Sequence, residues 1–261
     1  MLDYIYLFLI SLISNIFSAF SGGGAGVIQL PAILLLFDIA FINALAVHKI
    51  ATVALGIGAT SKFITKINFD IPLTIKFLAI GIPGVIIGAN VISLADEDYA
   101  RMLLGILISS IGIYSIFKRG YGEENINIKD SQKIFGLILI FASALLNGSL
   151  SAGTGLIFTM ILISCYGMDY RKAIAYTLII VGLFYNAVGA ITLGLLTDIT
   201  WNILPALFIG SLLGGYIGAK ISLSKSNRTI KIVYQIITIT CLLYTSDAAD
   251  EGLGVDLGGR R

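Results

Sequence analysis

Ser21-Gly22-Gly23-Gly24-Ala25-Gly26 interrupts an apolar stretch that runs from Leu2 to Phe37. Glycine is the poorest helix former after proline, so three in a row unwind a helix rather than extend it. In a bilayer, unwound backbone survives only where protein buries it or where it lines a polar cavity. The same punctuation returns at Asn147-Gly148-Ser149-Leu150-Ser151-Ala152-Gly153-Thr154-Gly155, inside the apolar stretch from Ile134 to Tyr166. Glycine-interrupted apolar segments at matching places in two halves of a chain point to a secondary transporter's binding site.

Composition points the same way. The chain is 57% hydrophobic and 12% charged, with a mean hydropathy of +0.96, against about 25% charged residues in a soluble domain. The first apolar run exceeds a signal peptide's h-region of about 7 to 15 residues, and similar runs follow it. Met1 onward therefore reads as a mature membrane protein; its expected location is a cell membrane, a prokaryotic inner or plasma membrane, which it crosses several times. A bilayer core takes about 20 helical residues. Phe41–Ile64, Ile71–Leu94, Tyr99–Phe117, Ile174–Leu196, Ile199–Leu223 and Ile230–Thr240 each suit one crossing, the last cut short. Leu2–Phe37 and Ile134–Tyr166 are too long for one, so each is expected to be a hairpin hinged at its glycines.

From Cys241 to Arg261 the composition turns abruptly to Asp, Ala, Gly and terminal Arg. The strings CLLYTSDAADE and GVDLGGRR resemble translated sequencing-adapter and flow-cell primer sequence, and 241–261 is set aside as an artefactual tail. The second half is then truncated inside its last helix. Cys165, in an apolar run, reads as a small buried hydrophobe, and no disulfide or metal site is expected.

The two halves repeat. Gly24 and Gly26 recur as Gly153 and Gly155, and Ala44, Ala46 and Gly81 as Ala173, Ala175 and Gly210, at one constant offset. The organisation is a first transmembrane repeat over 1–120, a cytoplasmic linker over 121–133 and a second repeat over 134–240. Loop charge gives the sidedness through the positive-inside rule. Lys62 and Lys66, then Lys118, Arg119, Lys129 and Lys133, then Arg171 and Lys172, and finally Lys220, Lys225, Arg228 and Lys231 mark cytoplasmic connections. Asp38, the run Asp96-Glu97-Asp98 and Asp198 mark outer ones. A chain inside at both Lys133 and Arg171 must enter and return between them. The fold class is therefore all-α and polytopic, with two inverted repeats, each a glycine-broken hairpin followed by three spans.

Each break leaves unpaired backbone N–H groups at the start of the half-helix that follows, the first beginning near Val27. Those donors and the helix's positive end suit an anion. Gly22, Gly23, Gly24 and Gly26 from the first break are the substrate-binding candidates, with Asn147, Ser149, Ser151, Gly153, Thr154 and Gly155 from the second. The competing role for such glycines is close helix packing, which is the favoured role for Gly84, Gly88, Gly214 and Gly218. His48 and Lys49 form a basic pair inside an apolar segment. Intramembrane ionisable groups are costly and suggest substrate or proton coupling. Both lie about two turns from the outer end of their span, so the alternative is a structural role in which Lys49 snorkels to the interface. Asn15, Asn43, Gln29, Tyr176, Thr177 and Asn186 could add polar lining.

The pattern FSAFSGGGAGVIQLPAILLLF at 17–37, followed by the alternation of Ala44, Ala46 and Val47 and by the weaker second copy SLSAGTG, resembles the TauE/SafE family of sulfite exporters. That resemblance, spanning Leu2 to Thr240, implies export of small sulfur-containing anions such as sulfite or sulfoacetate. No paired carboxylate stands within a span, and the sequence shows no His–Cys metal cluster and no Walker loop, so neither an enzyme nor ATP-driven transport is expected. The expected partners are a small anion and the lipid bilayer, with a homo-oligomer compatible, no nucleic acid and no cofactor. The class-different alternatives are a non-transporting scaffold or assembly factor, and an anion channel.

Overall fold

The computed structural model describes residues 2–100, 102, 103, 106, 124–230, 232 and 233. Lys118, Arg119, Lys231, most of the expected spans Tyr99–Phe117 and Ile230–Thr240, and the tail from Cys241 lie outside the described residues. Among the described residues the ordered elements are helices. Six are long and apolar enough to cross a membrane: α1 (Leu2–Ser21), α3 (Phe41–Phe63), α4 (Ile71–Ser93), α5 (Asp130–Ser149), α7 (Tyr170–Leu196) and α8 (Leu204–Ser224). The remaining two, α2 (Ala25–Leu36) and α6 (Thr154–Tyr166), are short. At 1.5 Å per residue they reach about 18 and 20 Å, short of a bilayer core of about 30 Å.

Both hinges fall where the glycines stand. Other boundaries move modestly, for local reasons. α2 begins at Ala25 rather than near Val27. α5 begins at Asp130, ahead of the apolar run, with an acidic residue in its first turn. α7 begins at Tyr170 because Asp169 caps it, its carboxylate accepting from Lys172 N at 2.9 Å. α8 starts later than expected, at Leu204 with Pro205 in its first turn.

The ends of the helices sort by charge. At one end Tyr176 Oη accepts from Asp70 N at 2.6 Å, Ile126 N donates to Gly167 O at 2.9 Å, Tyr166 Oη donates to Lys133 O at 3.0 Å, and Arg171 Nη2 donates to Lys225 O. These bonds gather the connections that carry Lys66, Lys129, Lys133, Arg171, Lys172 and Lys225. At the other end Phe41 N donates to Glu97 Oε1 at 3.3 Å, Thr197 Oγ1 donates to Asn43 Oδ1 at 2.9 Å, and the Tyr4 ring meets Phe37 edge-on at 5.6 Å. The hairpin α1–α2 thus starts and finishes at the acidic end, and α5–α6 starts and finishes at the basic end.

Glycine governs how the helices pack. α1 lies along α8 and α5 along α4. A β-carbon on Gly218 would lie 2.3 Å from Ile16 O, and one on Gly88 would lie 2.1 Å from Leu145 O. Gly214 meets Leu12 O and Gly84 meets Phe141 O in the same manner. The first helix of each half is therefore clasped by the glycine face of the other half's later helix. Gly88→Leu is expected to prevent accumulation of folded protein in the membrane, whereas Ile87→Leu, one residue away on the exposed face, should be neutral; size-exclusion profiles in detergent distinguish the two. Outside this packed interior Leu94 and Leu195 stand 88% and 83% exposed, as lipid-facing residues do. Inside, Phe158 makes edge-to-face contacts with Phe77 and Tyr185, at 6.2 and 6.0 Å between ring centres.

Candidate functional site

The two hinges meet. Gly22, Gly23 and Gly24 take φ values of 88°, 153° and 101°, which an L side chain rarely adopts. In the second hinge Gly153 takes φ 72° and Ser151 takes 61°, the one positive-φ residue other than glycine among those described. Thr159 Oγ1 donates to Gly22 O at 3.0 Å. A β-carbon on Gly23 would lie 2.5 Å from Leu156 N, and one on Gly26 would lie 2.9 Å from Ala152 Cα and from His48 Nε2. The same glycines thus turn the backbone at each hinge and let the two hinges pack closely.

The hinge amides are left over. Gly22 N and Gly23 N both donate to Ser18 O, at 2.8 and 3.0 Å. Among the described residues no backbone carbonyl takes the N–H of Gly24, Ala25 or Gly26 in the first hinge, nor of Gly153 or Gly155 in the second. The two half-helix starts that carry these donors face one cavity of about 30 Å³. A water needs about 10–15 Å³ on such a measure. Gly22, Gly23, Gly24, Gly26, Asn147, Ser151, Gly153, Thr154, Gly155 and His48 all line it. So do Thr177 and Asn186, together with Ser18 and Thr52, which the sequence reading did not single out. Their signal was helical spacing, since Ser18 lies one turn before Gly22 and Thr52 one turn after His48. Among the described residues no carboxylate lines the cavity and none is buried.

Two expected site residues stand elsewhere. Ser149 turns back on its own helix, its hydroxyl donating to Leu145 O at 3.1 Å and to Leu146 O at 3.3 Å. Lys49 neither lines the cavity nor snorkels: it is fully buried, because its ammonium finds partners inside. Nζ donates to Asn147 O at 2.6 Å and approaches Asn147 Oδ1 at 3.5 Å and Asn186 Oδ1 at 3.4 Å. The ammonium therefore holds the last turn of α5 and two cavity-lining amides from behind. Asn147 Nδ2 donates to Thr154 Oγ1 at 3.0 Å, tying the two sides of the second hinge.

The middle of α7, Leu178–Tyr185, is a π-helix. Its widened turn is fastened by Asn186 Nδ2, which donates to Val181 O five residues back at 2.7 Å. Leu178, Val181 and Gly182 from this stretch line the cavity, consistent with the frequent placement of π turns at functional sites. Nothing in the apolar run forecasts it. The other polar residues sort away from the cavity: Asn43 and Tyr176 serve the two ends already described, and Asn15 and Gln29 join a network beside His48. Gln29 Nε2 donates to Ser11 Oγ at 2.8 Å, and Asn15 Nδ2 to Ser211 Oγ at 3.0 Å.

Ser151 occupies in the second hinge the place that Gly22 occupies in the first. Ser151→Gly should relieve left-handed strain worth about 1 kcal/mol and raise the thermal midpoint in detergent, while Ser151→Ala, which keeps the strain, should not.

A family model described as sulfite exporter TauE/SafE matches residues 7–245. The chain belongs to this family. Among its TauE/SafE relatives, a Haemophilus influenzae protein named "Probable membrane transporter protein" is 27% identical, over 86% of this chain and 87% of its own. The Escherichia coli K12 protein named "Probable membrane transporter protein YfcA" is 25% identical over 92% and 89%, and the Bacillus subtilis protein named YunE is 21% identical over 91% and 95%. No solved structure matches the chain. Family, relatives and six apolar helices together make this TauE/SafE member a multi-pass membrane protein of a transporter family.

Proposed function

We propose that this protein is a secondary transporter that exports a small sulfur-containing anion, of the sulfite or sulfoacetate type, through the cavity between its two hinges. The observation that carries the reading is the convergence of unpaired hinge amides from both halves on one cavity without a carboxylate. Free N–H groups at two helix starts favour negative charge, and a site without fixed anions does not repel it. The name of the family model supports the substrate class. Coupling energy comes from an ion gradient or from the substrate's own gradient. The hairpins that start from opposite ends, and the reciprocal glycine clasps, support two inverted repeats, the plan of many alternating-access carriers.

A cavity of about 30 Å³ describes a closed state, and release to either side requires one half to rock against the other. The purified protein in proteoliposomes should show saturable flux of one or more of sulfite, sulfate, sulfoacetate and short carboxylates, with neutral controls excluded. No flux would support a scaffold, and non-saturating flux would support a channel. The sidedness has its own check. Single cysteines near Lys129 and Arg171 should label from the cytoplasm, and those near Glu97 and Asp198 from outside.

A further inference from the structure

His48 is buried in α3 with its ring between the cavity and a polar cluster built by α1, α2 and α8. Its protonation state can be read from that cluster. Ser11 Oγ donates its single proton to Leu207 O at 2.8 Å. It can therefore only accept from the Gln29 amide 2.8 Å away, so the Gln29 atom facing Ser11 is Nε2. The other end of that amide, Oε1, lies 2.7 Å from His48 Nδ1. A carbonyl oxygen only accepts, so Nδ1 carries the ring proton. Nε2 is then an acceptor, and it lies at the Gly26 hinge, on the cavity side. Its contact with Thr52 Oγ1 is long, 3.4 Å, and that hydroxyl donates to His48 O at 2.8 Å.

We infer that His48 couples a proton to the anion: Gln29 holds the ring as its Nδ1–H tautomer, and Nε2 takes up one proton when an anion enters the cavity. This rests on the anion reading of the same cavity. With Nε2 bare, a lone pair faces the bound anion and repels it. With Nε2 protonated, the ring adds an N–H donor and a positive charge beside the hinge amides. The proton comes from the water on the side where the anion enters and is released with it on the other.

Among the described residues no other titratable group takes this position. Lys49, next in sequence, points to Asn147 and Asn186. On α7, Tyr185 Oη donates to Phe77 O and Tyr176 Oη accepts from Asp70 N, while Arg171 and Lys172 stand at the basic end. On α8, Tyr216 lies beside Lys62, with Lys220 beyond it. On α1, Asp3, Tyr4 and Tyr6 are exposed at the acidic end. The cluster is also one-sided. The repeat offset places Ile140, Ala144 and Phe158 where the first half has Ser11, Asn15 and Gln29, so one half alone can hold a ring in this way.

His48 is the chain's one histidine, so protein made with [15N]histidine and a histidine-free affinity tag gives one imidazole to observe by NMR. Without ligand, the ring should show a protonated Nδ1 and an unprotonated Nε2, and Gln29→Leu should mix the tautomers. Titration with sulfate and with sulfoacetate, both fully ionised near neutral pH, should convert the ring to the imidazolium. Apparent anion affinity should rise about tenfold for each pH unit lowered through the range where the free ring is neutral, as linkage of one proton requires. A free protein with its proton on Nε2, or an anion that is transported while Nε2 stays bare, overturns the coupling and leaves the anion reading standing. No ring response together with no flux in proteoliposomes overturns both.

Discussion

Gly23→Ala is expected to abolish transport. A methyl group at this position would sit 2.5 Å from Leu156 N and 2.7 Å from Gly155 C, both backbone atoms of the opposite hinge. Backbone cannot swing aside as a side chain can. The substitution also has to hold φ near 153°, and the strain and overpacking together cost on the order of 2–5 kcal/mol. The hinges are forced apart where their amides converge, so flux should fall to background. Gly24→Val, at φ 101°, should lower flux by altering the cavity wall, and circular dichroism should show whether the helices persist. Thr154→Ala removes one acceptor for Asn147 and should weaken anion affinity only several-fold, since a lost hydrogen bond costs about 0.5–1.5 kcal/mol.

Lys49→Met should have the second largest effect, in two separable readouts. Methionine matches the length of the stem and removes the ammonium. The charge-assisted bond to Asn147 O, at 2.6 Å, is lost, and bonds of this kind contribute about 1.5–3 kcal/mol. The thermal midpoint should fall accordingly. With no carboxylate buried among the described residues to balance it, the ammonium also lends positive potential to the cavity, so anion affinity should fall about tenfold or more, the equivalent of about 1.4 kcal/mol. Gly189 supplies the room for this side chain: a β-carbon there would lie 2.9 Å from Lys49 Cδ. Gly189→Val should therefore lower affinity by displacing the ammonium while keeping its charge. Equal affinity in wild type and Lys49→Met would assign the lysine to folding alone.

These two residues mark how far the sequence could be read. Both hinges were legible because consecutive glycines have few other uses within an apolar run, and parity of the charged loops required the second to return. The placement of Gly84, Gly88, Gly214 and Gly218 against helix backbone was likewise legible from their spacing. The burial of Lys49 was not. Sequence places it about two turns from a span's end, where snorkelling is open to it, and only the fold brings Asn147 and Asn186 within its reach. Ser149 and Ser151 look alike in sequence, yet one completes its own helix and the other turns into the cavity, a difference set by where α5 ends. Gln29 and Ser211 stand far apart in the chain, so the cluster that orients His48 exists only after α1, α2, α3 and α8 have packed.

Selenite replaces sulfite with little change of shape and carries a selenium atom that anomalous diffraction can locate. In crystals of the wild-type protein grown with selenite, the selenium peak should lie between the two hinges. Its oxygens should fall within hydrogen-bond distance of the Gly24, Ala25 and Gly26 N–H groups and of Thr154. A peak confined to the lysine- and arginine-bearing loops, with the hinge cavity empty of selenium at saturating selenite, would contradict the account.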